Sequence, residues 1–264
     1  MTTTPALTER SSRVVAAAKL RRHVTRRRTG RFLVEGPNLV EAALRGGAVR
    51  EVFVTEAALA RFSQQLAACR VPVHRVTERA AKSLSDTVTP VGLVAVCEQR
   101  TAPLADVLAR RPRLVVVAVG LSEPGNAGTL IRLADAMGAD AVVLAGHSVD
   151  PYNAKCLRAS AGSVFAVPVV QAGDGTAAVT ALARAGLQVL ATAADGETEL
   201  NQVQPLLARP TAWLFGSEAH GLADDLGRLA SRRVRIPMAG HAESLNVAAA
   251  AAICLYQSFL SQRA

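Results

Sequence analysis

Short and almost uninterrupted apolar runs, separated by helical segments, constrain the fold of this 264-residue chain more than any other feature. From residue 114 onward, such runs predict strands at 114–119, 141–144, 164–170, 187–191, 212–215 and 234–236. Strands that are apolar on both faces are typical of a parallel sheet with helices on both sides. An Ala-rich helix from about residue 244 to residue 260 closes the pattern. The sequence therefore predicts an α/β fold built on a parallel sheet.

The same alternation, on a smaller scale, divides the chain into domains, and a length of 264 residues allows one or two of them. Residues 32–98 alternate short strands and helices and are typical of a small α/β domain. Residues 99–113 contain charged side chains and two prolines, which indicate a linker. We therefore predict a basic N-terminal arm at 1–31, a small domain at 32–98, a linker at 99–113 and a larger domain at 114–264.

Positive charge is concentrated in the N-terminal arm. The whole chain has a formal net charge of +9, and residues 1–31 contain nine of its 30 Lys and Arg residues but only one acidic residue, Glu9. The arm includes the run Arg26, Arg27 and Arg28. Such a cluster beside a nearly neutral body indicates nucleic-acid binding. The arm itself is either a solvated, partly disordered tail or a helix that lies on a polyanion.

Composition excludes several classes of protein. With 50% hydrophobic and 19% charged residues, the chain can bury a core and is not disordered overall. The sequence has no apolar run near the roughly 18 residues of a membrane span, and no apolar stretch that would make its N-terminus a secretory signal. The four cysteines are far apart and the histidines lack metal-ligand spacing. We therefore expect no disulfide framework, no metal and a cytoplasmic location.

Three segments rich in glycine, proline and polar residues follow buried strands, at 122–128, 215–221 and 236–247. Each segment alone is explained by ordinary turn residues, and Ser244 by a helix cap. The carboxyl ends of parallel strands meet at one edge of a sheet, however, and ligands bind there. We therefore expect these segments to line one cleft with five polar side chains: Asn126, Arg132, Glu218, Ser244 and Asn246.

In order and spacing, these segments resemble the three signature motifs of the SpoU/TrmH-like branch of the SPOUT, or trefoil-knot, RNA methyltransferases. The motifs are Asn126-x-Gly128-x-x-x-Arg132, Gly216-x-Glu218-x-x-Gly221, and Ile236-Pro237-Met238 followed by Ser244-Leu245-Asn246-Val247. A further stretch, which includes Lys155 and Arg158, is similar to a family segment near the substrate. Residues 32–98 look like the ribosomal-protein-like RNA-binding domain that precedes the catalytic domain in bacterial 23S rRNA methyltransferases of the thiostrepton-resistance type.

The resemblance implies S-adenosylmethionine as cofactor and 2'-O-methylation of a ribose as the reaction, with 23S rRNA as the favoured substrate. It also implies a homodimer and a deep trefoil knot in the C-terminal domain. It places the cofactor against the second and third motifs, at Leu214, Phe215, Gly216, Ile236, Met238 and Leu245. It also suggests that Arg158 holds a phosphate of the RNA, and the charge of the N-terminal arm adds three further RNA contacts: Arg26, Arg27 and Arg28.

The resemblance also suggests roles for the polar side chains. Family proposals make the motif-one arginine, here Arg132, the group that removes the ribose proton. Because a guanidinium is effectively always protonated, we expect Arg132 instead to orient a phosphate and stabilise developing alkoxide charge. Asn126 and Asn246 would orient groups around it, and Glu218 would hold either Arg132 or Asn126. Ser244 would contact the ribose or cap the last helix.

Two alternatives stay open from the sequence. The first is a methyltransferase that acts on tRNA, because no feature of this sequence separates a tRNA substrate from an rRNA substrate. A non-catalytic RNA-binding or ribosome-assembly protein would explain the basic arm and the small domain, but it would not explain the polar segments at the strand ends.

Overall fold

The computed structural model describes residues 5–67, 69–218 and 220–263. The chain forms two compact units: Met1–Arg100 with Tyr152–Phe165, and Thr101–Pro151 with Ala166–Ala264. We call them the N-terminal and the C-terminal unit. They differ from the predicted domains because the segment from Tyr152 to Phe165 joins the N-terminal unit, where Tyr152 and Leu157 pack into the core. Most of the predicted linker belongs to the C-terminal unit.

Strands and helices alternate through both units. The strands are β1 (Arg31–Glu35), β2 (Val49–Val54), β3 (Val73–Arg75), β4 (Leu93–Glu98), β5 (Leu114–Val119), β6 (Ala141–Ala145), β7 (Val169–Ala172), β8 (Gln188–Thr192), β9 (Thr198–Glu199), β10 (Thr211–Phe215) and β11 (Arg232–Arg235). The helices are α1 (Ser12–Ala18), α2 (His23–Thr29), α3 (Pro37–Arg45), α4 (Glu56–Arg61), α5 (Ser63–Ala67), α6 (Glu78–Leu84), α7 (Leu104–Ala109), α8 (Pro124–Ala136), α9 (Ala154–Ser160), α10 (Gly175–Arg184), α11 (Leu200–Val203), α12 (Asp224–Leu229) and α13 (Val247–Arg263).

The N-terminal unit is built on a four-stranded mixed sheet in the order β1-β4-β2-β3. Strand β4 pairs antiparallel with β1 and β2, and β3 pairs parallel with β2. Because alternate strand residues point to opposite faces, the two faces enter separate cores. One core contains Phe32 and Ala95 and is covered by α3, α4 and α9. The other contains Val94 and Val96 and is covered by α1 and α6.

The first helices of the chain are part of this unit. Val14, Ala17 and Leu20 are at most 5% exposed and pack against the core that contains Val96. The prediction of a partly disordered tail is therefore wrong for the described part of the segment. Apolar side chains at helical spacing hold it on the sheet because their burial removes apolar surface from water.

Arg26 has a structural role, although the sequence predicts it in contact with RNA. It is 5% exposed, and its Nη1 donates hydrogen bonds to the carbonyl oxygens of Leu20 at 3.1 Å and Arg21 at 2.7 Å. These bonds tie the 3-10 turn at Lys19–Arg21 to α2. Arg26 is thus unavailable for RNA, which corrects the prediction.

The C-terminal unit is built on a seven-stranded sheet in the order β7-β6-β5-β10-β8-β11-β9. Its strand pairs are all parallel, which confirms the predicted α/β fold. Strand β10 lies between β5 and β8, so Leu214 is opposite Val117 on one side and Ala191 on the other. The loops that follow these strands therefore meet at one edge of the sheet. The deep trefoil knot stays a prediction.

Some element boundaries differ from the predicted ones. The predicted strand at 164–170 is a 3-10 turn at Ser163–Phe165, and β7 begins only at Val169. Pro168 has no N–H for a sheet interior, while Val164 and Phe165 pack against the core of the N-terminal unit. Strand β1 and helix α12 are absent from the predicted elements, and the last helix begins at residue 247 instead of about 244.

Helix α13 is anchored to the sheet by a buried hydrogen bond. Trp213 Nε1 donates to Ser258 Oγ at 2.8 Å, and both residues are fully buried. The indole N–H thus keeps an acceptor inside the core.

None of the helices in the described residues is long and apolar enough to cross a membrane.

Ser258→Ala tests this anchor. Without the hydroxyl, the buried indole N–H loses its acceptor, so we expect the free energy of unfolding to fall by about 1–3 kcal/mol. Urea unfolding followed by the fluorescence of Trp213, the one tryptophan of the chain, measures the change. Ser261→Ala, at a partly exposed position of the same helix, is the control and should change stability by less than about 0.5 kcal/mol. Equal stability of the two variants would contradict the anchor.

Candidate functional site

A cavity of about 820 Å³ opens at the carboxyl ends of three neighbouring strands, β10, β8 and β11. Its lining comes from the ends of these strands and the loops that follow them, from α12 and from the residues around the start of α13. Ligands of open parallel sheets bind at this edge, and a volume in this range accommodates a cofactor-sized molecule. The cavity is therefore the candidate site.

Glycines determine the shape of the loop after β10. A Cβ atom on Gly216 would overlap the backbone of Gly221 and Leu222. The loop is closed by two backbone hydrogen bonds, from Ser217 N to Gly221 O at 3.0 Å and from Gly221 N to Ser217 O at 2.9 Å. Gly221 has a φ of +65°, a conformation that other residues rarely adopt. Both glycines of this motif are therefore required by the backbone geometry.

Two hydrogen bonds join the three segments that the sequence singles out. Asn126 Nδ2, near the start of α8, donates to Glu218 Oε1 at 2.8 Å. Asn246 Nδ2 donates to Asn126 Oδ1 at 3.2 Å. The sequence predicts either Arg132 or Asn126 as the partner of Glu218, and the structure shows Asn126. Because Glu218 and Asn246 also line the cavity, this network borders it.

Asn246 also caps the last helix, a role that the sequence offers to Ser244. Asn246 Oδ1 accepts a hydrogen bond from the backbone N–H of Ala248 at 2.9 Å, and α13 begins at Val247. This is the geometry of an N-cap residue. Ser244 is exposed and lines the cavity. The structure thus gives the cap to Asn246, and contact of Ser244 with the ribose stays a prediction.

Arg132 lies outside this network. It is on α8, six residues after Asn126. Six residues are one and two-thirds turns of a helix, so the two side chains leave α8 on different sides. The side chain of Arg132 is exposed and makes no hydrogen bond or ion pair with any residue that the structure describes. Arg132 therefore takes no part in the hydrogen bonds that join Asn126, Glu218 and Asn246.

Five of the six predicted cofactor residues line the cavity: Phe215, Gly216, Ile236, Met238 and Leu245. Met238 and Leu245 are each 38% exposed, although both are large and apolar. Partly exposed apolar side chains that converge on a cavity are typical of a site for an organic ligand. Leu214 differs, because its side chain is buried in the sheet core and its carbonyl oxygen accepts the Thr192 hydroxyl at 3.0 Å.

The loop after β8, which is not among the predicted segments, also lines the cavity. Its Asp195 forms an ion pair with Arg233 of β11, and both residues border the cavity. Gly196 lies so close to β11 that a Cβ atom there would be 2.8 Å from the backbone nitrogen of Arg235. The signal that could have found this loop is its position directly after a buried parallel strand.

Charge pairs hold the loop after β8 against β11. Arg233, which donates a hydrogen bond to Asp195 and attracts it, holds the pKa of that carboxyl below its usual value. The carboxylate of Glu197 accepts hydrogen bonds from two backbone N–H groups, that of Glu197 itself and that of Arg233, and these bonds lower its pKa. A hydrogen bond from the side chain of Arg235 lowers the pKa of Glu199. These carboxylates are therefore ionised at neutral pH, and the pairs weaken only as the pH falls through the lowered values.

The predicted RNA-binding arginines other than Arg26 are exposed. Arg27 and Arg28 lie on α2, and Arg158 lies on α9, all in the N-terminal unit. Arg158 lines a small pocket beside Arg21, whose side chain forms an ion pair with Asp86 at 2.6 Å. Exposed guanidinium groups of this kind are able to bind phosphate from solution.

Other groups that could carry chemistry are poorly placed for it. In the described ranges, no three His, Cys, Asp or Glu side chains are arranged to hold a metal ion. Burial raises the pKa of the Cys254 thiol to about 12 and also raises the pKa of Cys97. Both thiols therefore stay protonated at neutral pH and are poor nucleophiles.

Two parts of the chain match known protein families. Residues 113–256 match the SpoU rRNA Methylase family, and residues 11–95 match the MRM3-like substrate binding domain. The first match includes the cavity and the network of Asn126, Glu218 and Asn246. The protein belongs to the SpoU rRNA methylase family. The second match begins just before α1, so the first helices are included in the matched domain.

Similar proteins cover nearly the whole chain. The 23S rRNA (guanosine(2553)-2'-O)-methyltransferase RlmP of Bacillus subtilis is 35% identical over 239 residues, which are 90% of this chain and 92% of that protein. The AdoMet-bound rRNA methyltransferase of Sinorhizobium meliloti has a TM-score of 0.85 and 31% identity, and the match covers 96% of this chain and 97% of that one. The SpoU methyltransferase AviRb of Streptomyces viridochromogenes, in complex with AdoMet, has a TM-score of 0.85 and 30% identity, with coverage of 97% and 99%.

Gly216→Ala should disturb the loop after β10. The added Cβ overlaps backbone atoms of Gly221, which cannot move aside as the end of a side chain can, so we expect a loss of about 1–3 kcal/mol in stability. Thermal unfolding measures it. Gly240→Ala is the control, since a Cβ there has no atom within 4 Å and should change stability by no more than about 0.5 kcal/mol. If both variants unfold at the same temperature, the close approach at Gly216 is refuted.

Proposed function

We propose that the protein is an S-adenosylmethionine-dependent RNA methyltransferase that methylates the 2'-oxygen of a ribose in 23S rRNA. The observation that carries this proposal is the hydrogen-bonded network of Glu218, Asn126 and Asn246, which joins three motif segments beside a cofactor-sized cavity. The name of the Bacillus subtilis relative, which matches over 90% of this chain, supports the same reaction and substrate.

The cavity lining fits S-adenosylmethionine. The side chains of Ile236, Met238 and Leu245 supply an apolar surface for a purine ring, and Gly216 lets backbone groups approach a ligand closely. Ser217 and Ser244 add hydroxyl groups that accept or donate hydrogen bonds to the polar parts of the molecule. The cofactor, when bound, supplies an electrophilic methyl group on a sulfonium centre.

Met238→Asp tests the cofactor site. A carboxylate in the apolar lining must lose water when a ligand covers it, so we expect calorimetric titration with S-adenosylmethionine to show at least about tenfold weaker binding, or about 1.4 kcal/mol. Ala239→Asp is the matched control, because Ala239 is exposed and does not line the cavity. If the wild-type protein binds no S-adenosylmethionine at millimolar concentration, the non-catalytic RNA-binding alternative is the better one.

The polar network orients the amides that would face the ribose. Asn126 uses one N–H on Glu218, and Asn246 uses one N–H on Asn126. Each amide has a second N–H, which is then available for a ribose or phosphate oxygen. Holding a hydroxyl in the attack geometry contributes several kcal/mol to such a transfer, on the order of 7–11 at most. Glu218 is in this scheme a positioning residue that fixes the amide of Asn126.

Arg132 is proposed to bind a phosphate of the target nucleotide and to stabilise negative charge on the attacking oxygen. Its side chain has no partner among the described residues, so the guanidinium is available to the substrate. A permanently protonated guanidinium acts here by electrostatic attraction, without taking up a proton.

Arg132→Ala should lower the single-turnover methylation rate by about 10²–10³-fold, because one donor to developing negative charge is lost. The affinity for S-adenosylmethionine should be unchanged. Arg184→Ala, at an exposed position of α10 in the same unit, is the matched control and should keep the wild-type rate. A wild-type rate in Arg132→Ala would refute the role of Arg132.

Mapping the methylated riboses tests whether the substrate is 23S rRNA or tRNA. Ribose 2'-O-methyl groups in 23S rRNA and tRNA are compared between a strain with the gene and a strain without it. Loss of one site in 23S rRNA is expected. Loss of a tRNA site alone would contradict the proposed substrate.

A homodimer and a cytoplasmic location complete the proposal. Ile253, Tyr256 and Leu260 form an apolar stripe on α13, and each is more than a third exposed. Apolar stripes of this kind mark interaction sites, so we expect a light-scattering mass of twice 27.5 kDa. The monomer mass would exclude the dimer.

The proposed location is the cytoplasm, because ribosomal RNA is modified there in a bacterial cell.

A further inference from the structure

A basic groove of about 560 Å³ lies on the N-terminal unit, and none of the residues discussed for catalysis takes part in it. Its walls are α1, the 3-10 turn at Lys19–Arg21 and α2, and its floor is the sheet face that carries Val96. We call it the helical groove and define it by these lining residues: Arg13, Lys19, Leu20, Arg28, Arg31 and Val96.

Three of the four cations in the helical groove are uncompensated. Arg13 forms an ion pair with Glu51 at 2.7 Å, and Glu51 is the one acidic residue among the described lining residues. The side chains of Lys19, Arg28 and Arg31 are exposed and make no hydrogen bond or ion pair with a described residue. Cations that share a groove repel one another unless an anion neutralises them. The groove therefore has the electrostatic character of an anion site.

The pairing of the sheet explains why Arg31 is free. Arg31 is opposite Glu98 in the antiparallel register of β1 and β4. Glu98, however, forms its ion pair with Arg50 of β2, on the other side of β4. The guanidinium of Arg31 is thus left beside the groove without a carboxylate.

The buried Arg26 braces the frame of the groove. Its guanidinium donates to the carbonyl oxygens of Leu20 and Arg21, at 3.1 Å and 2.7 Å, and so ties the 3-10 turn to α2. This ties the turn that carries Lys19 to the helix that carries Arg28. The backbone segments that carry these cations are therefore already folded before an anion binds, and only their side chains have to be ordered.

The lining favours a phosphate backbone over stacked bases. No aromatic ring is among the groove residues that the structure describes, and aromatic rings are what single-stranded bases stack on. Guanidinium groups match phosphate oxygens in bidentate geometry.

We propose that the helical groove binds the phosphodiester backbone of the substrate RNA through Lys19, Arg28 and Arg31. This rests on the proposed function, since it concerns the RNA of that reaction. It also gives the basic N-terminal segment two separate tasks: Arg26 builds the groove, and its neighbours contact the RNA.

The test is a full-length variant with Lys19→Gln, Arg28→Gln and Arg31→Gln. Its affinity for in vitro-transcribed 23S rRNA is measured between about 50 and 200 mM salt, where each phosphate contact contributes about −0.7 to the log–log slope for a single strand. We expect the slope to be flatter by about 2 units. Circular dichroism and the Kd for S-adenosylmethionine should stay at the wild-type values.

A matched control removes three charges from the other side of the sheet: Arg45→Gln, Arg61→Gln and Arg70→Gln. These residues are exposed and do not line the groove. Their neighbours Leu44, Phe62, Cys69 and Val71 pack against the opposite core. The control should keep a slope within about 0.5 of wild type, because it loses charge but no phosphate contact.

Each outcome separates the groove from the reaction. If the groove variant and the control have the same slope while the wild-type protein binds RNA and methylates it, the groove proposal is overturned and the proposed function stands. If the wild-type protein binds S-adenosylmethionine but no RNA, both are overturned. A flattened slope in the groove variant alone supports the groove, even if methylation maps to another RNA.

Discussion

The candidate site depends on the parallel pairing of β10 between β5 and β8. Because these strands run in one direction, the loops that follow them emerge at the same edge of the sheet. This brings Asn126 Nδ2 within 2.8 Å of Glu218 Oε1, although 92 positions separate the two residues in the sequence. Strand β11 pairs parallel with β8, and the segment after it brings Asn246 Nδ2 within 3.2 Å of Asn126 Oδ1, 120 positions away. A register shift of one residue would turn the core side chains of β10 to the opposite face, so the network and the sheet core are specified together.

Charge and catalysis are separated in this protein. Most of the net charge precedes residue 32, in a segment that belongs to the N-terminal unit. Some of these cations serve the fold, as Arg26 does by donating to backbone carbonyl groups. Others, such as Arg28 and Arg31, stay unpaired among the described residues and are available to a polyanion. The cavity of the C-terminal unit instead combines apolar side chains with charges of both signs, among them the paired Asp195 and Arg233.

The parts that could be predicted from the sequence are those with a local signal. Strands such as β5 and β6 are buried on both faces and appear as unbroken apolar runs. Strand β1 alternates exposed and buried residues over only five positions and has a charged residue at each end, so its signal is weak. Helix α12 is only six residues long and includes a glycine, so it is too short to show a clear helical period. The 3-10 turn before Pro168 contains apolar residues that periodicity cannot separate from a strand.

The sequence by itself determined the parallel α/β class, the two compact parts and the three polar segments, because strand burial, turn residues and motif spacing are properties of neighbouring positions. Only the tertiary structure decided which polar atoms meet. It joined Glu218 to Asn126 and left Arg132 outside, and it gave the helix cap to Asn246. It also buried Arg26 while its neighbour Arg27 stayed in solvent. The physical reason is that hydrogen-bond partners and burial depend on groups far away in the sequence, whose positions are set only when the sheets and helices pack.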